Sequence, residues 1–94
     1  MAKRIVFSRK AYTDIDRIVD FNNVRNQSDT YSKKFVKRLH KQLHILGLHP
    51  LIGIATDEPG QLLFIWDDYY VFYINADDAI EITSIYHQKE DVRR

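Results

Sequence analysis

The apolar residues of this chain change their spacing near Pro50, and that change limits the folds open to it. Ahead of Pro50 they recur every three or four positions, the period of a helix with one buried face. Beyond it they come in short runs broken by turn residues, as strands do. A helical half feeding a strand half implies helices packed on one sheet, an α+β arrangement.

The helical half holds two stripes. Ala11, Ile15, Ile18, Val19 and Phe21 make the first, with Asp14, Asp16, Arg17 and Asp20 falling between them. Ser8 precedes it and is a good N-cap, because its hydroxyl can accept from an unpaired amide of the first turn. Asn22, Asn23, Asn26 and Gln27 weaken the pattern, so the first helix is expected over residues 9–26. Ser28, Asp29 and Thr30 offer a second cap. Phe35, Val36, Leu39, Leu43 and Leu46 then form one stripe, and a second helix is expected over residues 30–46, stopped by Gly47 with Pro50 beyond it. The short link between the helices predicts an antiparallel hairpin.

A short β run around Ile5, Val6 and Phe7 opens the chain at residues 3–7. In the second half, residues 51–56 read as a weak strand around Gly53, and Asp57, Glu58, Pro59 and Gly60 as a turn. Residues 62–66 are apolar throughout. Asp67 and Asp68 mark a tight reversal. Residues 69–74 are apolar and aromatic, which predicts a central strand covered on both faces. After a turn over residues 75–78, residues 79–86 alternate Ile80 and Ile82 against Glu81 and Thr83, as a half-buried strand does. The expected fold is an N-terminal strand, an antiparallel two-helix hairpin, then a three- to four-stranded antiparallel meander. The first strand should join that sheet, with the hairpin over one face. A length of 94 residues fits a single domain, residues 1–94.

The chain has no cysteine, which excludes disulfides, thiolate metal sites and a cysteine nucleophile, and favours a reducing compartment. No apolar run approaches a membrane span. The start of the chain lacks the apolar core of a signal peptide, so the cytoplasm is the expected location, with no membrane partner. Lys plus Arg number 14 and Asp plus Glu 13, a formal net charge of +1. The distribution says more than the sum. Residues 33–44 carry Lys33, Lys34, Lys37, Arg38, Lys41, His40 and His44 and no acid. Residues 57–78 carry Asp57, Glu58, Asp67, Asp68, Asp77 and Asp78 and no Lys or Arg. Lys33, Lys37 and Lys41 share one helix face, which could meet phosphate, an acidic protein segment or only water. His40 and His44 stand at i, i+4, the spacing of a metal pair, but no third ligand is suggested nearby, so neither a metal nor another cofactor is expected.

These elements, taken with particular residues, resemble the RelE/ParE superfamily of type II toxin–antitoxin toxins, the plasmid stabilisation proteins. The resemblance covers almost the whole chain. It begins with Ile5, Val6, Phe7, Ser8, Ala11, Asp14 and the run Ile15, Asp16, Arg17, Ile18. It continues through residues 35–53, where a helix ends in Leu48, Pro50 and Gly53. It closes on Tyr69, Tyr70, Val71, Phe72, Tyr73 and Ile74, the Asp77–Asp78 turn, residues 80–82, and the stretch Ile85, Tyr86, His87, Gln88, Lys89, Glu90, Asp91. The resemblance implies a bacterial toxin that inhibits growth and is neutralised by a cognate antitoxin lying over its surface. One branch of the family cuts messenger RNA at the ribosome and another poisons DNA gyrase. It also implies a homodimer or a toxin–antitoxin hetero-oligomer. RNA-cutting members are strongly basic and carry an arginine near the start of the strand before the aromatic one. That place falls here at Leu62, between Gln61 and Leu63, and no Lys or Arg lies between Lys41 and Lys89. A phosphorane-like transition state needs fixed positive charge, so this departure weighs against cleavage.

If the chain is a metal-independent endoribonuclease, His87 is the first candidate for proton transfer, because it titrates near neutrality. Tyr86 precedes it and Lys89 follows, and Arg93 or Arg94 could steady phosphate if the tail folds back. The plainer reading of His87 is a polar residue that ends a strand. Tyr69, Tyr70, Tyr73 and Trp66 could stack bases, but strand alternation sends about half of them to the core, and Trp66 is expected there. A non-catalytic interaction or nucleic-acid-binding domain is the alternative to a toxin, the latter resting on the basic second helix.

Overall fold

The fold was analysed in a computed structural model that describes residues 3–26 and 30–88. Its elements run β1 (Arg4–Phe7), α1 (Arg9–Asn26), α2 (Thr30–Leu48), β2 (Ile54–Ala55), β3 (Gln61–Trp66), β4 (Tyr69–Asn75) and β5 (Ala79–His87). Both helices form where the three- and four-residue spacing predicts them. Ser8 caps α1 as expected, its Oγ accepting the Ala11 amide at 3.0 Å. Of the second proposed cap, Ser28 and Asp29 lie outside the described residues. Gly47 does not stop α2, which runs on to Leu48. Gly47 is buried, and its carbonyl receives the Lys3 amide at 3.0 Å, so this glycine docks the start of β1.

The sheet has five strands in the order β1-β5-β4-β3-β2. From β2 to β5 it is the expected antiparallel meander. β1, however, pairs with β5 in parallel, Ile5 against Ile80 and Phe7 against Ile82, so the sheet is mixed. The weak strand expected over residues 51–56 is reduced to Ile54 and Ala55. Gly53 is the reason: its amide donates to the Tyr73 hydroxyl at 3.0 Å, and that hydroxyl donates to the Pro50 carbonyl at 2.7 Å. A Cβ on Gly53 would lie 2.5 Å from the same oxygen, so only glycine lets the loop approach. The Glu58–Gln61 turn closes with a 3.1 Å bond from the Gln61 amide to the Glu58 carbonyl. Gly60 takes φ 81° behind Pro59, the geometry of a type II turn. The two-residue reversal between β3 and β4 puts Asp67 at φ 55°, a region that aspartate tolerates better than most residues.

The core lies between the helical hairpin and one face of the sheet. Val71, Tyr73, Ile80, Ile82 and Ile85 meet Ala11, Ile18, Phe35, Leu39, Leu43 and Leu46 there. Each fully buried aliphatic side chain contributes about 1.5–3 kcal/mol. Trp66 is core, as expected, stacked near Phe35 and Tyr69 with ring centroids 5.9 and 5.1 Å away. β4 departs from the expectation of cover on both faces. Tyr69, Val71 and Tyr73 are buried, whereas Tyr70 and Phe72 are half-buried and Ile74 is exposed. Among the described residues no second layer covers that other face.

Candidate functional site

The uncovered face of the sheet presents the most distinctive side chains. Register fixes who shares it. Ile54 opposes Leu63, Leu63 opposes Phe72, and Phe72 opposes Ser84, giving one row across four strands. Ile65, Tyr70 and Tyr86 form the next row. A shallow cleft lies along the first row, with Tyr86 and Phe72 in its floor and Thr56, Asp57, Glu58 and Gln61 at one end. The Phe72 and Tyr86 rings meet edge to face, 6.1 Å apart.

Tyr86 reaches this face because of one extra residue. Tyr73 pairs with Ile82, but the preceding Phe72 pairs with Ser84, which leaves Thr83 unopposed in a β-bulge. Strict alternation from Ile80 and Ile82 would send Ser84 and Tyr86 into the core. The bulge resets the phase, so Ile85 turns inward and Tyr86 outward. Thr83 is held there, its Oγ1 donating to the Phe72 carbonyl at 3.1 Å and accepting from Gln61 Nε2 at 3.3 Å.

The second half of β5 extends past the end of β1, so its outer edge needs partners. Ser8 and α1 supply them. The Ser8 amide donates to the Ile82 carbonyl at 3.0 Å and its hydroxyl to the Thr83 carbonyl at 3.0 Å. The Ile85 amide donates to Asp14 Oδ2 at 3.0 Å, and Arg17 Nη2 donates to the Ile85 carbonyl at 3.1 Å. Asp14 is only 2% exposed. Its carboxylate also receives Lys10 Nζ at 3.0 Å and Arg17 Nη1 at 2.8 Å.

These two cations flank Tyr86. Lys10 Nζ donates to the Tyr86 hydroxyl oxygen at 2.6 Å and lies 4.4 Å from its ring centroid, and the Arg17 guanidinium lies 5.4 Å from the same centroid. Burial by itself would lower the Lys10 ammonium pKa. The hydrogen bonds it donates to Tyr86 and Asp14, with the negative potential of those oxygens, outweigh it and raise the pKa above 10.5. The arrangement holds a phenol oxygen against an ammonium at the edge of an apolar face. It can steady an incoming hydrogen-bonding group or anion there, or fix a partner surface through the Tyr86 ring.

His87 follows Tyr86 in sequence but points to the opposite face. Its ring meets Tyr69 edge-on, with centroids 5.1 Å apart, beside the Phe35–Trp66 cluster. Adjacent strand residues alternate, so Tyr86 and His87 do not share a face. Lys89, Arg93 and Arg94 lie outside the described residues. Lys33, Lys37 and Lys41 are all exposed on α2, away from Tyr86. His40 and His44 are exposed too, and among the described residues no three potential ligands form a metal cluster. Leu62, the position of the family's arginine, pairs with Tyr73 on the helix face, while Gln61 and Leu63 face outward.

Sequence reasoning missed Lys10, Asp14 and Arg17. A signal was present: Asp14 stands three residues after Ala11 and four before Ile18, on the apolar stripe and not between stripes. A carboxylate at such a position must be paired, and Lys10 and Arg17 are its i−4 and i+3 neighbours.

Comparison with known proteins places this geometry in context. No curated protein matches the sequence. The fold is similar to that of a chain in the chromosomal ParDE toxin–antitoxin system from P. aeruginosa, with TM-score 0.75, 20% identity, and 92% of this chain and 96% of the other covered. It is also similar to a chain of the RelBE2 toxin–antitoxin complex from Mycobacterium tuberculosis, with TM-score 0.67, 15% identity, and 93% and 99% covered. Residues 5–92 match the family model described as ParE toxin of type II toxin–antitoxin system, parDE. The chain therefore belongs to the ParE toxin family of type II toxin–antitoxin systems.

Proposed function

We propose that this toxin arrests growth by docking its open sheet face on DNA gyrase in the cytoplasm, and that a cognate antitoxin prevents it from doing so. The match of residues 5–92 to the ParE family model supports a toxin, and Leu62 carries the choice of gyrase, because it stands where the resemblance puts the arginine of RNA-cutting members and no Lys or Arg lies between Lys41 and Lys89. The character of the face supports it. Val6, Ile54, Ile65 and Ile74 are exposed large apolar residues on that face or its edge, around half-buried Leu63, Tyr70 and Phe72. Such a surface suits a protein partner better than a polyanion. The two cations beside Tyr86 are engaged with Asp14 and the Ile85 carbonyl.

One observation favours a second reading. Tyr86 carries a phenol oxygen hydrogen-bonded to an ammonium on an accessible face, a pair able to move a proton or bind phosphate. In that reading the toxin cuts message at the ribosome, with Tyr86 as the proton-transfer group and Lys89, Arg93 and Arg94 in supporting roles. Induction in a bacterial host separates the two. Gyrase poisoning produces chromosomal double-strand breaks and a DNA-damage response, with intact messages by primer extension. Discrete cleavage sites in messages without breaks would reject the gyrase reading.

A further inference from the structure

The cleft on the open sheet face holds a polar group that the fold leaves unused. Ser84 is only 7% exposed and lines that cleft, yet among the described residues its hydroxyl has no hydrogen-bond partner. A hydroxyl buried in this way gives up its bonds to water, and a bound group in the cleft can restore them. Half-buried Phe72 and Leu63 continue the row from Ser84 toward the opposite edge of the sheet. Asp57 and Glu58, both exposed, stand at that far end.

Charge runs across this cleft from positive to negative. On the β5 side Lys10 and Arg17 flank Tyr86, both held by Asp14. On the β3 side, among the described residues, the carboxylates of Asp57 and Glu58 have neither an ion pair nor a hydrogen bond. Their turn closes through the backbone, from the Gln61 amide to the Glu58 carbonyl, so neither carboxylate is needed to hold it. A nucleic acid laid along the cleft would bring phosphates against two unmatched acids. A wholly apolar segment would leave Ser84 and both acids without partners. A long basic side chain answers all of these features, its stem on Phe72 and Leu63 and its head at the carboxylates. Arginine suits best, because its planar guanidinium can stack on an aromatic ring and bind two carboxylates. Ser84 and Leu63 are two strand spacings apart, about 10 Å. A partner main chain beside Ser84, with one such side chain reaching outward, spans that distance.

We infer that this cleft receives an arginine-bearing segment of gyrase, with the guanidinium at Asp57 and Glu58 and a main-chain group on the Ser84 hydroxyl. The inference rests on the reading that the open face docks on gyrase, and it names the chemistry of the surface that face recognises. Lys10 and Arg17 fix the orientation, because a second cation placed beside Tyr86 would be repelled. The contact at Asp57 and Glu58 lies on the rim, so it is sensitive to salt.

Surface plasmon resonance of the purified toxin on intact gyrase, at low and at high salt, tests this. The double variant Asp57→Lys/Glu58→Lys changes only exposed side chains, and circular dichroism checks its fold. It is expected to bind about tenfold or more weakly at low salt and to lose the salt dependence of the wild type. Asp57→Asn/Glu58→Gln, which keeps the shape of both side chains, is expected to fall between the two. Ser84→Ala breaks no bond within the described protein, so it should melt no lower than wild type while binding gyrase about three- to tenfold more weakly. Equal affinity of wild type and all three variants would overturn the inference and leave the gyrase reading intact. Failure of the wild type itself to bind gyrase would overturn both. Unchanged gyrase affinity, with weakened binding to the antitoxin encoded beside the toxin, would overturn the inference and give the cleft to the antitoxin.

Discussion

A carboxylate with almost no solvent contact must find its hydrogen bonds inside the protein, and Asp14 finds the Ile85 amide, Lys10 and Arg17. Removing it leaves a strand amide unsatisfied and two cations without their shared partner. Asp14→Ala should cost about 2–3 kcal/mol in urea unfolding, and Asp14→Asn, which keeps one acceptor, roughly half that. Tyr73 is another buried polar tie, joining the loop at Pro50 and Gly53 to the core. Its phenol pKa is raised above 10.0, chiefly by burial, with the Gly53 amide opposing. Lys10 is also raised, above 10.5. In both, the folded state holds its proton more tightly than the unfolded state. Their stabilisation is therefore complete below the unfolded pKa and is lost as pH rises through the folded one. Unfolding free energy measured from pH 8 upward should fall once the pH passes about 10. Tyr73→Phe should lower stability by about 1–2 kcal/mol at pH 8 and flatten that alkaline fall.

At the scale of elements, the bulge at Thr83 decides which face Tyr86 occupies. Inserting one alanine between Ser84 and Ile85 shifts the phase by one and drives Tyr86 inward while expelling Ile85, which is fully buried in the native sheet. The insertion variant should be unfolded or lack a cooperative melt by circular dichroism, whereas Thr83→Ala, which keeps the register, should melt within a few degrees of wild type. The helices were legible because Phe35, Leu39, Leu43 and Leu46 repeat at the helical period over several turns, and a local pattern of that length has one natural interpretation. The meander was legible from turn residues such as Pro59, Gly60 and Asp67. The bulge was not, since nothing in Ile82, Thr83, Ser84 or Ile85 says which residue goes unopposed; that is decided by Phe72 and Gln61 on other strands. The parallel pairing of β1 with β5 was hidden for the same reason, being a contact between the two ends of the fold. Of the candidate site, Tyr86 was named, but its neighbours Lys10 and Arg17 come from a helix more than sixty residues away in sequence.

For the molecule as a whole, the asymmetry between its faces is the consequential property. One face of the sheet is filled by the helical hairpin, and the other exposes Ile65 and Ile74. If that face meets the target, Ile65→Arg and Ile74→Arg should abolish growth arrest while melting close to wild type, because neither side chain belongs to the core; arrest at wild-type strength with both changes would move the target surface elsewhere. The central claim, that a ParE-family chain with this apolar face acts on gyrase, is tested most directly by incubating the purified toxin with gyrase and supercoiled plasmid. After denaturant and protease treatment, linear DNA should accumulate with increasing toxin. Unaltered gyrase activity, together with cleavage of message on programmed ribosomes by the same preparation, would contradict it.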